Sequence, residues 1–361
     1  MRLNLPTTKK KAKAVVGLDI EAGSIAAAEV RVNGVASLGA SGIAPLPPGT
    51  FHEGEVLDPD VLADSLKDLF AENKLPKQVR LGVGNQRVIV RTLRLPAIED
   101  PKELDAAIRF QAQEQIPMPL DQAVLEHQVV GAIPGEEGGA PQVDVLVVAA
   151  RREMIASVVE PVRRAGLHPA GVDLAAFGMI RALSNGSPSP DGTDTPDQAT
   201  LYCNLGDVTN LAVARGSSCL FTRVSHVGLE GVVTSLESSL GLVAVHARQW
   251  LNHVGLEQPV EEIEGDPAMV AEVRRVLEAG LSDLVDELRL SLDYYGAQEA
   301  ALPVERIVLC GPGSAIPGLS QRMEAALSLR IEPALPAALE GFDPATAARL
   351  TLPFGLALEG R

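Results

Sequence analysis

A pair of similar α/β lobes facing a cleft is predicted from three observations. The stretch 15–38, VVGLDIEAGSIAAAEVRVNGVASL, runs apolar to Asp19 and turns through Glu21-Ala22-Gly23-Ser24. It returns apolar and turns again at Asn33-Gly34, a dipeptide suited to the positive φ of a tight hairpin. The same unit recurs at 201–226, LYCNLGDVTNLAVARGSSCLFTRVSH, with Asn204, Gly206 and Asp207 at its first turn and Arg215-Gly216 at its second. Just before this copy, residues 184–198 (SNGSPSPDGTDTPDQ) are too polar to bury a core and read as a linker. A unit repeated half a chain apart points to two halves of like construction. Turns of this kind place backbone N–H groups and a short carboxylate where a phosphate and its Mg²⁺ can sit.

The composition agrees with a globular protein large enough for two cores: 361 residues, 46% hydrophobic and 22% charged. A net charge of −16 argues against a nucleic-acid partner, and 3% aromatic residues offer few stacking platforms. Cys203, Cys219 and Cys310 sit in apolar runs without metal or disulfide spacing and read as reduced core residues of a cytoplasmic protein. No apolar run reaches the ~20 residues of a membrane span. Lys9-Lys10-Lys11 and Lys13 form a basic tail able to touch anionic lipid weakly.

In chain order, 45–54 is a Pro/Gly loop, and Asp58-Pro59 opens a helix whose Leu62, Leu66, Leu69 and Phe70 share one face. Two short strands follow across 79–95 around Gly84-Asn85. Asp100-Pro101 caps a helix that ends at Pro117-Met118-Pro119. Strands at 124–130 and 143–150 flank a glycine-rich tip, 134–139. Helices then run from Arg152 and from Leu174 to Leu183. Beyond the second hairpin unit, 229–255 is mostly helical. Asp266-Pro267 opens a helix to Ala279, and a separate one covers 281–298. A strand at 306–310 meets Gly311-Pro312-Gly313-Ser314, a helix covers 318–329, and the chain closes through 344–358. The expected organisation is a tail at 1–13, a first lobe from 14–82 and 167–185, and an insert at 83–166. A linker at 186–198 leads to a second lobe from 199–240 and 304–343 with a sub-domain at 241–303, and 344–361 packs back on the first lobe.

Three turns can meet at the cleft: Asp19 with Gly23-Ser24, Asn204 to Thr209, and Gly311 to Ser314, the last a glycine turn between strand and helix. This segment order resembles the actin/Hsp70/sugar-kinase ATPase superfamily. Within it the chain is similar to the PilM family of type IV pilus assembly. The likeness is carried by IRFQAQEQIPMP (108–119), EHQVV (126–130), DELRLSLDYY (286–295), IVLCGPGSAIPGL (307–319) and FGLAL (354–358). It implies an actin-like (ribonuclease H-like) two-lobed fold with an inserted 1C α/β sub-domain, as in FtsA, and ATP with Mg²⁺ as cofactors. On that template Asp19 holds Mg²⁺ through water, while Gly23 and Ser24 cradle phosphate from one side. Asn204, Gly206, Asp207 and Thr209 face it from the other, and Gly311, Gly313 and Ser314 line the ribose and α-phosphate. Glu287 and Ser291, one helical turn apart, reach the nucleoside.

Departures from the family pattern predict a degenerate site with slow or no turnover. Glu21 places a carboxylate where a phosphate needs bare backbone. Asn204 stands for the usual aspartate of the second motif unless Asp207 substitutes, and Pro312 removes one N–H donor. The resemblance further implies a scaffold at the inner face of the cell membrane that grips the N-terminal peptide of a bitopic PilN-like protein between core and insert and couples it to the motor ATPase. Arg109, Gln111 and Gln113 on the insert helix are the candidate grip. Leu3-Asn4-Leu5-Pro6 resembles such a tail, which suggests self-association. A sugar or acetate kinase and an FtsA-like division filament are the alternatives. The first lacks polar sugar-binding strands after the first hairpin; the second lacks a terminal amphipathic helix.

Overall fold

The computed structural model describes residues 15–133, 140–184, 198–298 and 301–358. The basic tail with its Leu3–Pro6 segment, the glycine-rich tip at 134–139 and residues 185–197 of the expected linker lie outside them.

The repeat seen in the sequence becomes two sheets of the same construction. In the first, β1 (Val15–Ile20), β2 (Ser24–Asn33) and β3 (Val35–Pro45) form an antiparallel meander. The 45–54 segment carries a two-residue hairpin, β4 (Phe51–His52) with β5 (Glu55–Val56), and leads into helix α1 (Pro59–Glu72). Strand β6 (Gln78–Val83) then lies parallel to β1. The insert follows: β7 (Ile89–Pro96), α2 (Pro101–Gln115), β8 (Ala123–Ile133) and β9 (Gln142–Arg151). These make a three-stranded sheet in the order β7-β9-β8, with Ile108 and Ala112 of α2 buried against Leu93, Leu95, Val145 and Val147. Helix α3 (Arg152–Arg164) leads back to β10 (His168–Leu174) and α4 (Ala175–Ser184), completing the order β10-β6-β1-β2-β3.

The second sheet repeats the plan. Strands β11 (Ala199–Leu205), β12 (Thr209–Arg215) and β13 (Ser218–Ser225) form the meander. Helices α5 (Leu229–Leu240), α6 (Ala244–Val254) and α7 (Pro267–Gly296) follow. Then β14 (Val304–Cys310), α8 (Leu319–Leu327), β15 (Arg330–Pro333) and α9 (Pro344–Ala357) close the chain. The order β13-β12-β11-β14-β15 matches the first sheet strand for strand, with β14 and β15 parallel to β11 as β6 and β10 are to β1.

Three expectations are corrected. Helix α3 belongs to the first lobe, not the insert: Val158 and Val162 share a core with Leu62, Leu66 and Leu81. The two helices expected at 266–298 are one continuous thirty-residue α7. Gly280 is no break, because it lets α7 close onto α5, where an added Cβ would collide with Val232. Strands β10 and β15 were not anticipated, since Pro169 and Gly171 interrupt the first and only four residues form the second.

Period-two alternation decides which side chains reach the cleft. Val16, Leu18 and Ile20 point to the core under α1 and α3, so Gly17 and Asp19 face the other way. Leu201, Cys203 and Leu205 face the helices of the second lobe, and Tyr202 and Asn204 face inward. Between the inner faces lie α4 and α9, sharing one core with Ala26, Ala28, Tyr202, Ala212 and Val308. Gly17 is the contact point for α9, with Pro353 O in the place of a Cβ. All three cysteines are buried and unbridged.

Each foreseen proline-initiated helix has its aspartate cap: Asp58 accepts from Asp60 and Val61 N–H, and Asp266 from Ala268 and Met269 N–H at 2.9 and 3.0 Å. Asp266→Ala is expected to cost about 1 kcal/mol, read as a lower urea midpoint with an unchanged slope.

Candidate functional site

The two hairpin turns meet in sequence register. Asp19-Ile20-Glu21-Ala22-Gly23-Ser24 and Asn204-Leu205-Gly206-Asp207-Val208-Thr209 each join the first strand of a meander to the second. Glu21 therefore occupies in one turn the place that Gly206 occupies in the other. The carboxyl of Glu21 lies over Gly206, where an added Cβ would run into its Oε1. Gly23 N–H donates across the lobes to Asp207 Oδ2 at 2.9 Å. Asp19, Glu21, Asn204, Asp207 and Thr209 are all buried.

Two arginines complete the cluster. Arg349, on the central helix α9 and buried at 6% exposure, is ion-paired with Asp19. Its Nε donates to Ser24 Oγ at 2.8 Å, its Nη2 donates to Ser24 O at 3.0 Å, and Glu21 Oε2 lies 3.6 Å away. Arg248, from α6, pairs with Asp207 Oδ1 at 2.6 Å and lies across the face of Gly23. Two guanidinium groups thus oppose three carboxyls. Burial, reinforced by Asp207 and Asp19 against the pull of Arg349 and Arg248, raises the Glu21 pKa to about 8. With Glu21 protonated at neutral pH, the cluster balances in charge, the condition under which buried ions are tolerated.

The third turn packs against the second. Gly311 has φ +80°, and a Cβ there would stand 2.5 Å from Asn204 Oδ1. Gly313 closes on Leu205, and Ser314 Oγ donates to Gly311 O at 2.8 Å. Glu287 and Ser291 are tied elsewhere: Ser291 Oγ donates to Glu287 O at 2.8 Å, and Glu287 pairs with Arg223 of β13 at 2.8 Å. The structure thus joins Asp19, Gly23, Ser24, Gly206 and Asp207 in one cluster and backs it with Asn204 and Gly311. Thr209 spends its hydroxyl on Val227 O at 2.6 Å. On α2, Arg109 is exposed and pairs with Asp105 at 2.9 Å, Gln113 is exposed and Gln111 half-buried.

Arg349 and Arg248 were not anticipated as site residues. Arg349 carried a signal, being the only charge between 344 and 358, and a lone charge in a buried helix needs a partner. Arg248 stands in an ordinary polar helix, H-A-R-Q-W, with no such contrast.

Beside the cluster is a narrow cleft. Its walls carry Asp19, Glu21, Glu53, Asp207 and Glu230, with no lysine or arginine among the described residues that line it. Glu230 of α5, on its wall, is hydrogen-bonded to His52 of β4 at 2.9 Å, and this hydrogen bond raises the His52 pKa. Mg·ATP, the group the fold implies, does not fit this arrangement. The Gly23 N–H is bonded to Asp207, Gly206 is covered by Glu21, and Ser24 and Asp19 are held by Arg349.

Two matched sheets whose first turns face one another over a central helix pair define a protein of the actin-like ATPase fold. The ethanolamine utilization protein EutJ from Carboxydothermus hydrogenoformans shares that fold at 14% identity and TM-score 0.55, over 99% of this chain and 91% of its own. A diol dehydratase-reactivating factor does so at 9% and 0.50, over 96% and 99%. A solved PilM–PilN type IV pilus biogenesis complex matches at 27% identity and TM-score 0.76, covering 96% of this chain and 98% of that one. The profile of the type IV pilus assembly protein PilM family matches residues 17–342. The chain belongs to that family. Among the described residues no helix is long and apolar enough to cross a membrane.

Proposed function

We propose that this protein is a docking scaffold of type IV pilus assembly, holding the N-terminal peptide of a PilN-like membrane protein at the inner face of the cell membrane. The observation that carries this reading is the similarity to the PilM–PilN complex, at 27% identity over nearly the whole of both chains. The insert supports it with a helix whose outer face is free. Arg109 and Gln113 are exposed, and Phe110 between them is 71% exposed. An extended peptide laid against such a surface draws on backbone pairing and on pockets for alternate side chains. Coupling to the motor ATPase and self-association belong to the same reading, and ATP turnover does not.

Binding of a fluorescein-labelled N-terminal peptide of a PilN-like protein, followed by anisotropy, tests it. The Arg109→Ala/Gln111→Ala/Gln113→Ala variant is expected to bind at least about tenfold more weakly, a loss of about 1.4 kcal/mol. Equal affinity with an unchanged melting curve would remove α2 from the interface, and no binding by the wild-type chain would remove the partner.

A further inference from the structure

We propose that the inter-lobe cleft is a self-filled site, in which Arg349 and Arg248 stand where a nucleotide's metal ion and phosphates would stand and hold the lobes together without a ligand. The contacts that the two phosphate turns would offer a nucleotide are already made by side chains of the protein. Asp19 has the Arg349 guanidinium as its counter-cation. Ser24 meets the same guanidinium with both its hydroxyl and its carbonyl oxygen, at 2.8 and 3.0 Å. The N–H of Gly23, free to bind an anion in an open turn, donates to Asp207 at 2.9 Å. Gly206, the bare backbone of the second turn, is covered by the Glu21 carboxyl.

These contacts join the two halves of the molecule. Gly23 belongs to the first lobe and Asp207 to the second. Arg248 pairs with Asp207 at 2.6 Å, and an added Cβ on Gly23 would stand 2.5 Å from its Nη2. Arg349 comes from α9, which shares its core with both sheets. The cluster therefore works as a latch, and nothing has to arrive from solution to close it.

Electrostatics reinforce the sterics. The described wall residues offer a polyphosphate no lysine or arginine, and a nucleotide reaching the turns would have to pull Arg349 from Asp19 or Arg248 from Asp207. Either move strands a carboxylate in a buried setting, the costly outcome for such pairs. The lobes are consequently held in one closed arrangement whatever the nucleotide supply, as suits a scaffold more than a nucleotide switch.

The test uses the full-length protein. Calorimetric titration with Mg·ATP, and separately with Mg·ADP, is expected to give no saturable heat, corresponding to a Kd weaker than about 1 mM. Amide hydrogen exchange at 19–24 and 204–209 is expected to be the same with and without nucleotide. Micromolar saturable binding that slows exchange at those turns would overturn the proposal. Arg248→Gln, at a position whose side chain is 28% exposed, probes the latch with little risk to folding. It is expected to speed exchange of the Gly23 amide about tenfold through more frequent local opening. An unchanged Gly23 amide in that variant would equally overturn the latch.

Discussion

Replacing Glu21 by glutamine is expected to stabilise the protein, and by more as the pH rises. The side chain is buried, and its folded-state pKa stands at about 8 against 4.5 for an ordinary glutamate. Below pH 4.5 it is protonated in both the folded and unfolded chain and contributes nothing to the pH dependence. Between 4.5 and about 8 the folded protein keeps the proton that the unfolded chain has released, so stability falls as pH rises through that window. At about 1.4 kcal/mol per pH unit, the interval is worth up to about 5 kcal/mol at pH 8, and a gain of a few kcal/mol is expected there. Glutamine keeps the shape over Gly206 and has no proton to lose. Urea midpoints of both proteins at pH 5 and pH 8 decide the matter. The difference should be small at the lower pH and large at the higher, and parallel profiles would mean that Glu21 is solvated and ionised.

The same residue shows how far the sequence could be read. The duplicated hairpin was visible because turn chemistry is local: Asn33-Gly34 and Arg215-Gly216 announce hairpins wherever they stand. The aspartate caps of α1, α2 and α7 were legible for the same reason. Glu21 was recognisable as an obstacle to a phosphate, and the structure shows the means, a carboxyl laid on the glycine at the equivalent place in the other lobe. What fills the rest of the cleft was not legible. Arg349 is 330 residues from Asp19 and 325 from Ser24, and no local pattern pairs residues at such separations. The parallel strands β10 and β15 escaped because their pairing is also non-local and their sequences carry proline or glycine. Gly280 misled for the opposite reason: a helix breaker by propensity was retained for close packing on Val232.

Arg349→Met is expected to destabilise the protein by about 3–5 kcal/mol, the usual result of removing one partner from a buried ion pair. Methionine can fill much of the volume along α9, so the loss reports mainly charge and hydrogen bonding. Asp19 is left without its counter-cation, the Ser24 hydroxyl loses its donor, and the Ser24 carbonyl oxygen keeps only the Glu21 N–H. Lysine is expected to rescue little, because one compact ammonium cannot reproduce the fork that serves Asp19 and Ser24 together. The informative rescue is Asp19→Asn in the same chain, since it removes the stranded charge. The double variant should regain more than half of the loss, with a coupling energy of at least about 2 kcal/mol between the two positions. Arg349 is also the strongest influence holding down the Glu21 pKa. Its removal should therefore keep Glu21 protonated to still higher pH, and the destabilisation by Glu21 should extend further into the alkaline range. A loss below about 1 kcal/mol, typical of an exposed pair, would mean that Arg349 lies in solvent and that the two lobes are held together by packing alone.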